Sequence, residues 1–527
     1  MNARKVLGRL ELATTLIRGK YVISEVIGLD SAVVISDGAV FQRDGEIIEV
    51  GTYDDLKDRY QVDEIVGSPS YVVMPGLVND HFHVGLTPFQ LGAPDLPLEL
   101  WGLSRMRAID VDPYLDQLYG ATLMIRSGTT TVQALHSPPR GRGPFDLDIS
   151  EKVINAYQES GMRVSYAPML VNRDSLVVGA GGGEEEFASQ LPHELSDRFK
   201  SLLNRSYLPA KEVIARADDL YEKYSRKPSE RVRITVAPSN VHRCSDDLLI
   251  GLRQLATKYK TGIHIHLQET VYQKLYGLRT WKTTPLQHLR ELGFLGPDVV
   301  CGHGVWVTEE DIETMAETGA VVCHNASSNL RLRSGIAPVN RLLQRGVRIA
   351  LGSDEAGLND DKDMLQEMRL ALKIHRVPGV DNAPPTAHQV FQMATVNGAY
   401  ASWFGDRVGT LKPGKRADLV LMNLKNIEEP YLDPDVSIVD AVVHRGRNID
   451  VDTVMVDGEV IMRDRKLTRI DESALYREIS NMMSRPATEA ELDRRDMAEK
   501  VEPYLRKFFE GTMGQSEQPH YYYNSRS

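Results

Sequence analysis

Four short motifs place metal-ligating side chains where hydrolytic chemistry could occur. The first is His81-Phe82-His83. In an extended strand residues i and i+2 point to the same side, so both imidazoles can converge on one ion at Zn–N distances of about 2.0–2.1 Å. The second is Gly262-Ile263-His264-Ile265-His266-Leu267-Gln268-Glu269. His264 and His266 share a face, and Glu269 follows His266 by three residues. A ligand beside a carboxylate suits activation of water. The cation lowers the water pKa from about 15.7 toward about 7, and the carboxylate moves the proton. His264 lies deeper and is expected to support rather than ligate. The third and fourth are His303, in Val300-Cys301-Gly302-His303-Gly304, and Asp354, in Ala350-Leu351-Gly352-Ser353-Asp354. Each directly follows an apolar run, and a buried Asp must be paired, hydrogen-bonded or bound to a cation. A lone His-x-His arises often by chance. Four such signals at equivalent strand ends, in a chain of 14 histidines, do not.

These positions need a frame. Residues 73–405 alternate buried-strand candidates (72–77, 129–135, 163–170, 232–237, 262–267, 299–305, 320–324, 347–351) with amphipathic helical segments such as 113–126, 246–258 and 309–317. Eight β/α units imply an α/β class fold closed as a (β/α)8 TIM barrel, which places its chemistry at the C-terminal ends of the strands. One insertion, 172–229, carries Gly179 and Gly181–Gly183 and reads equally as a lid or a plain surface excursion. Both ends of the chain are β-rich, with Asp37-Gly38, Asp44-Gly45 and Asp457-Gly458 as hairpin dipeptides. They suggest one small sheet domain built from both ends. The expected division is 1–72 and 406–470 for that domain, 73–405 for the barrel, and 471–527 for a helical extension and tail. Residues 487–509 read as a charged, solvated helix, with a partner-subunit contact as the other reading, and the segment from His520 through Tyr521–Tyr523 to Ser527 reads as an extended tail.

Composition bounds the rest. Of 527 residues 42% are apolar and 26% charged, which excludes wholesale disorder. Lys and Arg number 62 against 73 Asp and Glu, a net charge of −11, and no basic run stands out, which argues against a nucleic-acid partner. Three cysteines and no Cys-x-x-Cys exclude a disulfide framework or a zinc ribbon. No run reaches the ~20 apolar residues of a membrane helix, and Arg9, Glu11, Arg18 and Lys20 interrupt the first segment, so no membrane association and a cytoplasmic location are expected.

The sequence resembles the amidohydrolase superfamily, in particular its s-triazine chlorohydrolases and aminohydrolases, guanine deaminases and S-adenosylhomocysteine deaminases. The likeness is carried by Met74-Pro75-Gly76-Leu77-Val78-Asn79-Asp80-His81-Phe82-His83, His266-Leu267-Gln268-Glu269, Gly302-His303, Ser328-Asn329-Leu330-Arg331-Leu332, Gly352-Ser353-Asp354 and the Gly409–Leu419 stretch. It implies a TIM barrel with a small β-sandwich domain formed by both chain ends. It also implies that His81, His83, His266 and Asp354 hold one divalent ion, Zn2+ first and Fe2+ second. Glu269 is then the proton shuttle, and His303 holds the nucleophile or the polarised substrate atom, so that Glu269, His303 and Asp354 form the catalytic group. Residues 231–240 contain no Lys, the residue that bridges two metals in binuclear members of the superfamily. The implied reaction is hydrolytic deamination at an sp2 carbon of a nitrogen heterocycle. Dechlorination or amine displacement on such a ring is the alternative; a cyclic-amide hydrolase, and last a non-catalytic scaffold, follow. Similar enzymes are homodimers or larger homo-oligomers, which is the expectation here.

Substrate contacts are read from strand ends. Gln90, Trp101 and His136 follow the first and second strands, and Asn325, Ser328 and Asn329 follow the seventh. Trp101 could stack on a planar ring or sit in the core. His136 has no motif behind it.

Overall fold

The computed structural model describes residues 14–137, 146–174, 176–178, 183–204, 207–226, 229–355, 357–377, 379–380, 385–510 and 512. The tail expected from His520 through Tyr521–Tyr523 to Ser527 and the glycines Gly179, Gly181 and Gly182 lie outside these residues.

Eight strands alternate with helices in the middle of the chain: β1 Leu77–Phe82, β2 Thr129–His136, β3 Arg163–Leu170, β4 Val232–Ile234, β5 Ile263–Leu267, β6 Val299–His303, β7 Val321–His324 and β8 Ile349–Leu351. Successive strands pair in parallel as two sheets, β1 to β4 and β5 to β8. The sheets meet at two seams. At one, parallel bridges join Val236 to Ile263 and Asn240 to His266. At the other, the Asp354 N–H past β8 donates to His81 O in β1, at 2.8 Å. The strands other than β4 are buried on both faces, as short apolar runs flanked by helices require.

The expected strand 72–77 divides at Gly76. Residues up to Pro75 belong to a strand of the terminal sheet, Glu64–Pro75, and β1 starts at Leu77. The turn needs glycine, because a Cβ at Gly76 would lie 2.1 Å from Thr130 Oγ1. The terminal sheet orders its strands Lys466–Leu467, Glu459–Arg463, Val451–Val456, Leu419–Asn423, Glu64–Pro75, Thr15–Val26, Ala32–Arg43 and Glu46–Thr52. The two chain ends are therefore hydrogen-bonded edge to edge, at the antiparallel pairing of Leu419–Asn423 with Glu64–Pro75. Where a sandwich of two sheets was expected, the pairing gives one continuous sheet. Asp44-Gly45 and Asp457-Gly458 make the hairpin turns, both residues of each having positive φ. Asp37-Gly38 does not. Gly38 pairs with Gly19 on one side and Thr52 on the other, in mid-strand.

The C-terminal helix Glu489–Phe509 is not a solvated rod. Met497, Ala498, Val501 and Leu505 are buried in one apolar cluster with Leu100, Leu103 and Met106 and with Val177, Phe187 and Phe199 of the 172–229 insertion. No helix among the described residues is long and apolar enough to cross a membrane.

Candidate metal centre and active site

The C-terminal ends of β1, β5, β6 and β8 bring the four motifs together. His81 Nε2 lies 3.1 Å from His83 Nε2 and 3.2 Å from His266 Nε2, and the last two are 3.2 Å apart. Asp354 Oδ1 is 3.2 Å from His83 Nε2 and 3.8 Å from His81 Nε2. The far side of each ring is committed. His83 Nδ1 meets Leu135 O at 2.5 Å and His266 Nδ1 meets Ser239 O at 2.7 Å. A carbonyl only accepts, so both Nδ1 atoms carry the hydrogen and both Nε2 atoms turn toward the common point. His81 Nδ1 is 2.9 Å from His264 Nε2, so His264 orients a neighbour rather than facing the cluster.

Burial pushes His81 and His266 down, and His264 down to about 3. His83 is the exception. Burial alone would lower it, but its hydrogen bond to Asp354 draws it up, and the same bond holds Asp354 well below the usual carboxylate range against its own burial. Three imidazole nitrogens around one carboxylate, two of the rings pinned from behind by a backbone carbonyl and the third by the His264 ring, are the donor chemistry that a divalent cation satisfies.

Asp354 is aimed by its surroundings. Ser328 Oγ donates to Asp354 Oδ2 at 2.5 Å. Asn79, two residues before His81, donates to Ser353 Oγ and accepts from the Ser353 N–H. The buried Lys362 ammonium donates to the carbonyls of Asp354 (3.4 Å) and Glu355 (2.9 Å). Gln268, His303 and Asp354 all adopt positive φ, at 44°, 71° and 55°. Non-glycine residues hold that conformation only where the surroundings enforce it, and here they cluster at one site.

Glu269 and His303 stand beside the cluster. His303 Nε2 is 3.8 Å from Glu269 Oε2 and 4.0 Å from Asp354 Oδ2, and His303 Nδ1 is 2.8 Å from Asn329 Oδ1. Glu269 Oε1 is buried without a hydrogen-bond partner among the described residues, and burial pushes the carboxyl up.

The family model for the amidohydrolase family matches residues 72–461. This chain belongs to the amidohydrolase family. It is a hydrolase acting on carbon–nitrogen bonds. Among curated relatives it is 31% identical over 475 residues to a 5'-deoxyadenosine deaminase of Methanosarcina mazei, covering 89% of this chain and 97% of that one. It is 33% identical over 448 residues to a 5-methylthioadenosine/S-adenosylhomocysteine deaminase of Desulfitobacterium hafniense, covering 84% and 93%. A solved adenosine deaminase from Xanthomonas campestris with bound zinc matches with a TM-score of 0.73 and 26% identity, over 89% of this chain and 97% of that one. The α/β fold is accordingly TIM-barrel-like.

The substrate-contact expectations fare unevenly in this amidohydrolase. Trp101 lines the pocket over the cluster, with Leu98, Glu99 and Arg105 from the same turns. Leu176 and Val178 of the insertion line it too. Asn325, Ser328 and Asn329 do not reach its wall. They are buried behind it, with Ser328 on Asp354 and Asn325 and Asn329 on His303. A strand-end position shows that a side chain is near the site, not that it faces open space. Gln90 is exposed and bonded to Thr87 of its own loop and to Tyr119 of the helix Pro113–Arg126, and it does not line the pocket. His136 lines an adjoining cavity instead, where burial lowers its ring to about 4. Sequence reasoning missed Arg105 and Glu355, which pair across the pocket at 2.7 Å, and Asn240 and Arg243, which line it after β4. Arg105 lies one helical turn beyond Trp101 and Glu355 directly follows Asp354, which are the only signals either gives.

The helix bearing Ser328 and Asn329, Ala326–Arg331, is tied down by Glu367, whose carboxylate accepts from the Ser327 hydroxyl and N–H. Burial pushes Glu367 up to about 7 from 4.5. The folded chain thus keeps a proton that the unfolded chain gives up near pH 4.5, so this group costs stability as pH rises through that interval, by about 3 kcal/mol in all. Glu367→Gln keeps an acceptor and removes the titration. Urea unfolding at pH 5 and pH 8 should show the loss between the two shrinking by about 2.5 kcal/mol in the variant, since part of the interval lies below pH 5; an unchanged difference would place the carboxyl's titration at its ordinary value.

Proposed function

We propose that this amidohydrolase is a metal-dependent deaminase that replaces the amino group of an adenosine-like nucleoside by oxygen, releasing ammonia. The observation that carries the reading is the convergence of His81, His83 and His266 Nε2 with Asp354 Oδ1, beside the unpartnered Glu269 Oε1. The names of the relatives, deaminases of 5'-deoxyadenosine and of methylthioadenosine or S-adenosylhomocysteine, support the substrate class. In this reading the two parallel sheets are halves of one closed eight-stranded barrel.

His81, His83, His266 and Asp354 would hold one divalent ion, Zn2+ first and Fe2+ second. When bound, such an ion supplies the Lewis acidity that makes water a nucleophile at neutral pH. Glu269 accepts the first proton of the attacking water at Oε1 and passes it to a ring nitrogen of the substrate, then takes the second from the hydroxyl now on the carbon and delivers it to the amine as the C–N bond breaks. His303, its Nδ1–H fixed on Asn329, presents the Nε2 lone pair to hold the water. Trp101 offers an aromatic face to a planar ring. Atoms balance as one water consumed and one ammonia released.

The test joins metal content to turnover. One ion per chain is expected, together with ammonia release from adenosine-type nucleosides that a chelator abolishes and added Zn2+ restores. A metal-loaded protein that releases no ammonia across purine nucleosides would overturn the reading, as would full activity after complete metal removal.

A further inference from the structure

Three carboxylates that line the metal pocket keep an oxygen in reserve. Glu99 Oε1, Glu269 Oε1 and Glu355 Oε2 are each buried without a hydrogen-bond partner among the described residues. In the deaminase reading Glu269 takes the water's proton there. Burial pushes the Glu99 carboxyl up to about 7, so it can hold a proton of its own. Glu355 has neither outlet. It is 4% exposed, and its Oε1 accepts from Arg105 Nη1 at 2.7 Å. An ion-paired carboxylate only accepts, and a buried oxygen left unpaired forfeits the hydration it gave up. A carboxylate that served only to tie two loops could give both oxygens to the guanidinium fork, as Asp418 does to Arg163. Glu355 gives one. Its place is also set by the metal centre. One peptide separates it from Asp354, whose N–H donates to His81 O at 2.8 Å, and Lys362 Nζ donates to Glu355 O at 2.9 Å. Arg105 Cζ lies 5.4 Å from the centre of the Trp101 ring, so the ion pair and the aromatic face form one stretch of pocket wall.

We propose that Glu355 is a specificity-determining residue whose Oε2 accepts a hydrogen bond from a neutral N–H or O–H of the substrate other than the amino group that leaves. The inference rests on the deaminase reading and adds to it which group of the substrate the site reads. The donor is neutral because Arg105 already balances the Glu355 charge. A buried acceptor of this kind discriminates steeply, since an analogue without the donor leaves it unpaired. The donor can be a sugar hydroxyl or an amino group on another edge of the ring. Both offer the same hydrogen bond, and the probes below separate them.

Glu355→Gln is the decisive change. Its amide oxygen can keep the Arg105 bond, which sets the amide N–H2 where Oε2 stood and turns a donor against the substrate's donor. Five nucleosides serve as probes: adenosine, its 2'-, 3'- and 5'-deoxy forms, and its 2-amino form. The loss of kcat/KM on going from the unaltered protein to the variant is measured on each, with metal content checked in both. That loss should be about tenfold or more greater on probes that carry the donor than on a probe that lacks it. A single deoxy form that is spared names the sugar hydroxyl; a loss concentrated on the 2-amino form names the ring. Glu355→Asp keeps the charge and withdraws the oxygen by one carbon. It should narrow the same preference, and it carries the test if the Gln variant fails to fold or loses its metal. An equal loss on all five probes, as a purely structural role would give, or no loss on any, overturns the proposal. If no probe releases ammonia, the deaminase reading fails, and dissociation constants from calorimetry then judge Glu355 by the same pattern. A protein that binds none of the five overturns both.

Discussion

Replacing Glu269 with Gln is expected to lower kcat by about 10^2- to 10^4-fold while leaving the metal in place. The geometry separates the two effects. The ion would be held by three imidazole nitrogens and Asp354 Oδ1, and Glu269 is not among them; its carboxylate comes nearest to His303 Nε2, at 3.8 Å. Gln has the same shape, and the Glu269 N–H keeps its bond to Gln273. What is lost is a buried carboxylate beside the cluster with an oxygen that bonds to no described residue, and with it a place for the water's proton. The loss should fall on kcat more than on KM, because proton transfer belongs to the transition state rather than to ground-state binding. Metal analysis of the purified variant alongside steady-state kinetics decides the matter. A kcat within tenfold of the unaltered protein would remove Glu269 from its role. A variant that loses its ion would instead make Glu269 a ligand and would call for a different base.

The parts of this centre that the sequence discloses are those carried by local pattern. An apolar run that ends in a polar residue marks a strand end, and the period of two in His81-Phe82-His83 sets two rings on one side. The members that escape are set by contacts between distant segments. Arg105 and Glu355 are 250 residues apart and become a pocket wall only when β1 and β8 lie side by side. Asn325, Ser328 and Asn329 are near the site by position, but whether each faces the cavity or the back of a ligand is decided by the tilt of one short helix. The C-terminal helix shows the same limit. Its buried residues Met497, Ala498, Val501 and Leu505 form a stripe too narrow to stand out among charges, and its partners lie some 300 to 400 residues earlier in the chain. Gly76 and Asp37-Gly38 fail for a different reason. Glycine marks a place where the backbone needs room, and only the packing tells whether that place is a break between sheets or the middle of a strand.

The largest expected loss of stability lies away from the chemistry, at Arg163. This residue opens β3 and is fully buried. Its Nε and Nη2 donate to the two oxygens of Asp418, both at 2.8 Å, and Nη1 donates to Glu230 O. Asp418 directly precedes the strand Leu419–Asn423 and also accepts the Asp457 N–H at the hairpin turn. One guanidinium thus joins the α/β part of the chain to the terminal sheet. Arg163→Met fills a similar volume but leaves the Asp418 carboxylate buried without its cation, which should cost about 3–5 kcal/mol in urea unfolding. Arg163→Lys restores the charge but not the two-pronged geometry, so it should recover only part of the loss. The decisive comparison is the double variant Arg163→Met with Asp418→Asn. Removing both charges removes the stranded carboxylate, so the pair should be less destabilised than the sum of its single changes. Asn still has a carbonyl oxygen for the Asp457 N–H, which keeps the turn's hydrogen bond out of the comparison. Additive losses would mean that the two side chains act through packing alone, and an Arg163→Met cost below about 1 kcal/mol would mean that solvent reaches Asp418 once the guanidinium is gone.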